Sequence, residues 1–254
     1  LVGNMTILEK EKFYNTLNSV IPNETDQIFF EVLSLDGLEE MYNYSKDERL
    51  YEFFEFPPQK SIDETKAYIE KLQNRMNGDK QDQTAMYWFV RRKEDKKMVG
   101  TFCLVNIDYN RESAEWGYAV APLLWGNGYP LQVMEAAKNY VFNTLGLNRL
   151  WGQTMTTNKK TISSLLAAGC VHEGDLRHFY KKGDQFIDAW SYSIIKSDFV
   201  KENEISQKNQ SLNISKEEIA KVVEDIIDED VLDFSADMTE YINWDSITHF
   251  DIIV

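Results

Sequence analysis

Cysteine and histidine are scarce: the 254 residues hold two of the first, Cys103 and Cys170, and three of the second, His172, His178 and His249. Two thiols in segments that read as apolar strands leave no disulfide framework, and none of these groups shows metal-ligand spacing. Both cysteines are expected to be buried and reduced. No apolar run approaches the ~20 residues that span a bilayer, and no charged-then-apolar leader opens the chain, so a cytoplasmic location without a membrane partner is expected. Positive charge is short too: 27 Lys and Arg against 42 Asp and Glu leave a net charge of −15. A chain so charged repels phosphate backbones, which makes nucleic acid a poor partner. What remains, 43% hydrophobic and 27% charged residues, excludes the disordered, collagen-like and fibrous classes. At roughly 150 residues per domain the length predicts one to two domains.

Charge divides the chain unevenly. Residues 201–254 carry four lysines against fourteen acids, a net of −10, which leaves −5 for the first two hundred residues. Ahead of this acidic tail, residues 199–213 include KENEISQKNQSLN, nearly free of bulky apolar groups, which is linker composition. Residues 1–27 read as an N-terminal helical extension, with Leu8, Phe13, Leu17 and Ile21 at helical spacing. Between them, residues 28–198 alternate strand and helix. Ile28–Leu33 reads as a strand, Asp36–Tyr51 as a helix, and Ser61-Ile-Asp-Glu64 as a capping box opening a second helix. Three strands rich in Tyr, Trp, Phe and Val follow, Met86–Arg92, Met98–Asp108 and Ser113–Ala121, joined by turns as an antiparallel meander. A glycine loop, a helix over Leu131–Leu145, a strand over Arg149–Met155, a helix over Lys159–Ala168 and two strands through Ile195 complete the unit.

The loop Trp125-Gly-Asn-Gly128 sits between a strand and an amphipathic helix. Its backbone N–H groups can face an anion at the positive end of the helix dipole. It lacks the lysine and hydroxyl of a nucleotide-hydrolysing loop, and the strands before it form a meander instead of a βαβ unit, so no dinucleotide site follows.

Taken in order, Trp116-Gly-Tyr-Ala-Val120, Trp125-Gly-Asn-Gly-Tyr129, Leu145-Gly-Leu-Asn-Arg149, Asn158 with Thr161, Ala168-Gly169, Glu173-Gly174 and Asp188 resemble the GNAT superfamily of acyltransferases. The branch similar to ribosomal-protein N-acetyltransferases matches best, over about residues 28–196. The resemblance implies a mixed α/β (α+β) fold: a sheet flanked by helices and splayed at its fourth and fifth strands, with acetyl-CoA in the gap. It places the pyrophosphate on the amides of Trp125, Gly126, Asn127, Gly128 and Tyr129, and the pantetheine arm on fourth-strand amides near Ala119 and Val120. Asn158 would bind pantetheine, cap its helix, or both. Leu123 replaces the family's Arg or Gln, and Pro130 takes an early helix position, which its missing N–H permits.

Attack on a thioester needs a neutral amine, hence a base, and the departing thiolate needs a proton. Glu115 occupies the strand position where many family members carry a catalytic glutamate. The family's usual acid, a tyrosine, is Leu165 here, leaving Thr161 and Tyr180 as substitutes. His172 and His178 are weaker alternatives as bases. Tyr51, Phe53, Phe54 and Phe56, ahead of Pro57-Pro58, crowd the segment where the family builds its acceptor pocket; Glu52 and Glu55 could attract an ammonium.

In the tail, residues 214–254, Ser215-x-x-Glu218 opens an amphipathic helix and Trp244-Asp-Ser246-Ile begins another. This pair resembles part of an acyl carrier protein, which implies 4′-phosphopantetheine on Ser246, added by a phosphopantetheinyl transferase, and an all-α carrier-like segment docking carrier-dependent enzymes. Half of a carrier's four helices are missing, so truncation of a longer fusion is expected, with the fragment packing on the acyltransferase, forming a homodimer or staying disordered. The reading is an acyl-CoA-dependent N-acyltransferase acting on a small-molecule primary amine, an amino sugar or metabolite intermediate. The rivals are S-acyl loading of the carrier arm, acetylation of a protein N-terminus, and acyl-CoA binding without turnover.

Overall fold

The computed structural model describes residues 7–78 and 83–211. Residues 1–200 form one compact unit and residues 201–254 a second. The first helix, α1 (Ile7–Ser19), is part of the first unit's core: Phe13, Tyr14 and Leu17 are buried, and Phe13 meets the Tyr109 ring at 5.2 Å. Strand β1 (Ile28–Val32) follows. The helix expected over Asp36–Tyr51 is instead α2 (Leu38–Ser45) between two 3-10 turns, Leu35–Gly37 and Glu48–Phe53. Two side chains cut it, since Ser34 Oγ accepts from the Asp36 N–H and Asp47 Oδ1 from the Arg49 N–H, and each starts a new turn. The capping box holds: α3 (Ile62–Met76) begins with the Glu64 N–H on Ser61 Oγ at 3.2 Å, and Glu64 reaches back to the Lys60 N–H at 2.8 Å.

The meander forms as expected, β2 (Met86–Arg92), β3 (Met98–Asp108) and β4 (Ser113–Val120). Alternate β2 residues serve opposite faces. Arg75 of α3 lies over the Tyr87 ring, whereas the Trp88 indole meets Tyr140, which follows α4 (Tyr129–Asn139). Helices α2 and α3 thus cover one face and α4 the other. The expected helix to Leu145 ends in a π turn over Tyr140–Thr144, with the Leu145 N–H on Tyr140 O. Tyr140, Val141 and Phe142 of this turn are all buried.

Strand β5 (Arg149–Met155), α5 (Lys159–Ala167), β6 (Val171–Lys182), β7 (Gln185–Ile195) and α6 (Lys196–Ser211) complete the described chain. Arg149 forks onto Glu173 at 2.7 and 2.5 Å, and Ser193 Oγ donates to the same carboxylate at 2.8 Å, tying β5, β6 and β7 together. The stretch expected as a linker is helical through Ser211. It contains no Gly or Pro and is rich in Lys, Glu and Gln, so its polarity argues against burial, not against a helix. The carrier-like segment, Ser246 included, lies outside the described residues.

The sheet runs β1-β2-β3-β4-β5-β7-β6, antiparallel except at β4–β5. That parallel pair is short: Ser113, Ala114 and Glu115 face Arg149, Leu150 and Trp151, and pairing then stops. β4 stays on β3 as far as Val120, and β5 stays on β7 as far as Met155. A wedge therefore opens between Trp116–Val120 and Gly152–Met155. At its base the buried Tyr192 phenol crosses β5 where Gly152 has no side chain; a Cβ there would lie 2.6 Å from the phenol oxygen. Gly152→Ala should therefore destabilise the fold by about 1–3 kcal/mol through overpacking, read as a lowered urea midpoint; an unchanged midpoint would mean that Tyr192 does not brace the wedge.

Candidate active site

The glycine loop lies at the mouth of the wedge. Gly126 and Gly128 have φ of +82° and +73°, and a Cβ on either would meet nothing within 4 Å. Positive φ favours glycine, and the open space leaves the backbone approachable. Among the described residues no acceptor takes the N–H groups of Gly126, Asn127, Gly128 or Tyr129, and these converge on the first turn of α4, whose N-cap is Gly128. The Trp125 N–H, expected in the same set, is bonded to Pro122 O at 3.3 Å by a 3-10 turn. Trp125 contributes its ring instead, the indole N–H donating to Val120 O at 2.8 Å and anchoring the loop to β4. Leu123 is 85% exposed and offers an anion nothing.

Along β4 the register decides which amides face the wedge. The Ala121 N–H bonds Val99 O, and Thr101 pairs with Ala119, so odd-numbered residues point their N–H groups at β3 and even-numbered ones at the wedge. Ala119, expected to bind pantetheine, is therefore turned toward β3. Tyr118 and Val120 present the free edge. Asn158 caps α5, its Oδ1 accepting the Thr161 N–H at 3.3 Å.

Glu115 stands at the last β4–β5 pair. Burial raises its carboxyl above the usual range, opposed by a hydrogen bond from Asn106 Nδ2 to Oε2 at 2.5 Å and by the Arg75 guanidinium. Asn106 reaches it because β3 bulges there and Asn106 takes a φ of +46°, a conformation that asparagine tolerates. Neither Asn106 nor Arg75 was legible: one is a polar residue on a strand, the other the end of a helix distant in sequence.

Tyr180 is perturbed upward by burial and then by the charges of Glu115 and Glu55, so its phenol lies within electrostatic reach of both. The Thr161 hydroxyl acts on the Tyr118 phenol, which burial raises above its ordinary value. Tyr118, whose N–H and ring both border the wedge, is a residue that sequence reasoning passed over. Leu165, at the family's tyrosine position, is buried. His172 and His178 stay exposed on β6, stacked on Trp190 and Phe186.

Beside the wedge, on the face covered by α2 and α3, lies a cavity of about 180 Å³ that reaches Gly117, Tyr118 and Ala119 of β4. Tyr51, Phe54 and Phe56 wall it, and Phe53 does not line it. The β6–β7 hairpin straps this wall down: Lys182 Nζ donates to Tyr51 O at 2.9 Å and Glu52 O at 2.5 Å, and the Lys181 N–H to Glu55 Oε1 at 2.8 Å. Glu55 is thus engaged by the backbone of the strap. Cys103, on the cavity floor, has its thiol pushed up to about 12 by burial and by Glu115, so it is no nucleophile at neutral pH.

Residues 27–171 match the model of the acetyltransferase (GNAT) domain. The chain belongs to the GNAT acetyltransferase family. Among curated relatives, the uncharacterized N-acetyltransferase YoaA of Bacillus subtilis is 25% identical over 68% of this chain and 96% of its own length. The spermidine N(1)-acetyltransferase of Vibrio cholerae is 24% identical over 70% of this chain and 98% of its own. Among solved structures, the Vibrio cholerae spermidine N-acetyltransferase in complex with CoA and spermine aligns with a TM-score of 0.60 and 22% identity, covering 69% of this chain and 99% of that one. A GNAT-family acetyltransferase of Bacillus anthracis aligns with the same TM-score at 15% identity, over 68% of this chain and 98% of that one. The chain is an acyl-CoA-dependent acetyltransferase with the splayed mixed sheet of the GNAT fold.

The neighbours of Glu115 fix the sign of one test. Asn106 favours the charged carboxylate, so Asn106→Ala should raise the Glu115 pKa and shift the acidic limb of kcat/KM to higher pH. In the unsubstituted enzyme that limb should lie above the ordinary carboxyl value of 4.5. A pH–rate profile that Asn106→Ala leaves in place would disconnect the limb from Glu115.

Proposed function

We propose that the chain transfers an acetyl group from acetyl-CoA to the primary amine of a small molecule in the cytoplasm. The observation that carries this reading is the position of Glu115, at the point where β4 and β5 part and on the same strand face as Gly117 of the cavity. An alkyl amine is protonated at neutral pH and attacks only after losing that proton; Glu115, lifted by burial, is the group that takes it.

Acetyl-CoA, when bound, supplies the acyl group already activated as a thioester. The amides of Gly126, Asn127, Gly128 and Tyr129 would hold its diphosphate at the positive end of α4, and the open space at both glycines supports that fit. Tyr118 and Val120 would hold the pantetheine arm by their N–H groups. The Tyr118 phenol, kept neutral by burial, returns a proton to the departing sulfur, with the Thr161 hydroxyl orienting it. Tyr180 sits with Glu115 on the acceptor side and steadies the amine. Thiol release from acetyl-CoA should depend on an added primary amine, fall about 10²–10⁴-fold in kcat in Glu115→Gln, and fall in Tyr118→Phe with the KM for acetyl-CoA unchanged. Full activity in Glu115→Gln would sink this reading.

A second function is proposed for the tail. The acidic run over residues 201–254 and Asp245-Ser246-Ile247 after Trp244 support a carrier segment with 4′-phosphopantetheine on Ser246. Intact-mass spectrometry after co-expression with a phosphopantetheinyl transferase should show one added phosphopantetheine, absent in Ser246→Ala; an unmodified mass removes the carrier.

A further inference from the structure

The cavity beside Glu115 has a chemistry of its own. None of the residues lining it is Asp, Glu, Lys, Arg or His. Its wall is an aromatic cluster in which Phe54 stacks on Phe56 at 5.2 Å and Tyr51 meets Phe56 edgewise at 5.8 Å and Phe54 at a tilt at 5.9 Å. Its polar groups are neutral: phenols, the Ser45 and Thr101 hydroxyls, the Gln59 amide and the Cys103 thiol. The carboxylates nearest in sequence do not serve it, because Glu55 accepts from the Lys181 backbone and Glu52 is exposed.

Size narrows the occupant further. A dry, apolar cavity of about 150 Å³ accommodates benzene, and this one measures about 180 Å³. A single ring with a short tether fits a space of that size. Gly117, Tyr118 and Ala119 of β4 form the cavity's border with the wedge strand, and Glu115 lies two residues before Gly117 on the same strand face.

Resting on the transferase reading above, we infer that the acceptor is a monoamine carrying one aromatic or similarly sized apolar ring on a short alkyl arm, an arylalkylamine. The ring fills the space among Tyr51, Phe54 and Phe56, and the amine reaches Glu115. A polyamine is a poor fit: after its reacting nitrogen loses a proton, its other ammonium groups enter a space with no carboxylate, and burying an unpaired charge is costly. An amino sugar is the neutral rival, its hydroxyls facing the phenols and hydroxyls of the wall, and the test separates the two. The resemblance to spermidine acetyltransferases therefore extends to the fold and not to the acceptor.

The test uses the full chain with saturating acetyl-CoA and three amines: 2-phenylethylamine, spermidine and glucosamine. Thiol release should show kcat/KM for 2-phenylethylamine at least tenfold above the other two. Phe54→Ala, at a partly exposed position, should raise the KM for 2-phenylethylamine at least fivefold and leave that for acetyl-CoA unchanged. Phe54→Glu, which puts a carboxylate in the wall, should shift the preference toward spermidine. Calorimetry of 2-phenylethylamine on the CoA-saturated protein reads the cavity without turnover. Binding there with no thiol release from any amine upholds this inference and overturns catalysis. Spermidine or glucosamine as the preferred acceptor overturns this inference and leaves the transferase standing. Neither binding nor turnover of 2-phenylethylamine overturns it outright.

Discussion

The molecule is organised by a pairing that stops. Two parallel strands normally continue their ladder as far as both extend, because each lost pair leaves an N–H and a C=O without a partner. Here β4 and β5 part after three pairs while each remains paired on its other side. Tyr192 is the side chain at the parting: buried, threaded past Gly152 and set against Trp116. The strand edges left bare are a ready surface for an extended ligand with amide groups of its own. The fold thus gives up a stretch of backbone bonding in the free protein and recovers it when the site is filled.

Around that opening the two faces of β4 divide the chemistry. Even-numbered residues carry rings and N–H groups toward α5 and the wedge, with Tyr118 beside Thr161. Odd-numbered residues, Glu115 and Gly117 among them, look toward α2 and α3, where the cavity lies. A carboxyl on one face and a phenol on the other, separated only by the strand, would serve the proposed reaction, in which a proton is taken from the incoming group and another is given to the outgoing one. The carboxylate is tuned by opposing influences. Burial raises its pKa, and the Asn106 bond and Arg75 pull it back toward the ordinary carboxylate value.

The order of strands and helices was legible because hydrophobic period and turn residues report it locally. So were the glycine loop and the N-cap of α3, each carried by a short motif. What was not legible depends on register and on side chains that meet from afar. Whether Ala119 or Tyr118 points its N–H into the wedge is a matter of strand pairing, and the pairing phase is not written in a five-residue motif. Trp125 looked like a donor of backbone amide, but a 3-10 turn had taken that amide, leaving the indole to do the anchoring. Lys182 gave no signal at all, since its contacts with Tyr51 and Glu52 join segments far apart in sequence. The helix over residues 196–211 was hidden by a different error, that of equating a polar stretch with an irregular one.

Leu123 sharpens the account of donor binding. A chain with net charge −15 gives an anionic cosubstrate little long-range help, and at the loop position where the resemblance expects an arginine or glutamine there is an exposed leucine. On the proposed reading, attraction at this position rests on groups that carry no formal charge, the N–H groups at the start of α4 and the helix dipole over its first turn, while Arg92 is engaged by Asp95 and Tyr129. Such an arrangement is directional, because backbone N–H donors are fixed in place by the loop. It rewards a diphosphate seated against the backbone and gives little to an anion that merely approaches, which is why the glycines, whose missing side chains allow that close seating, matter more here than they would beside a cation.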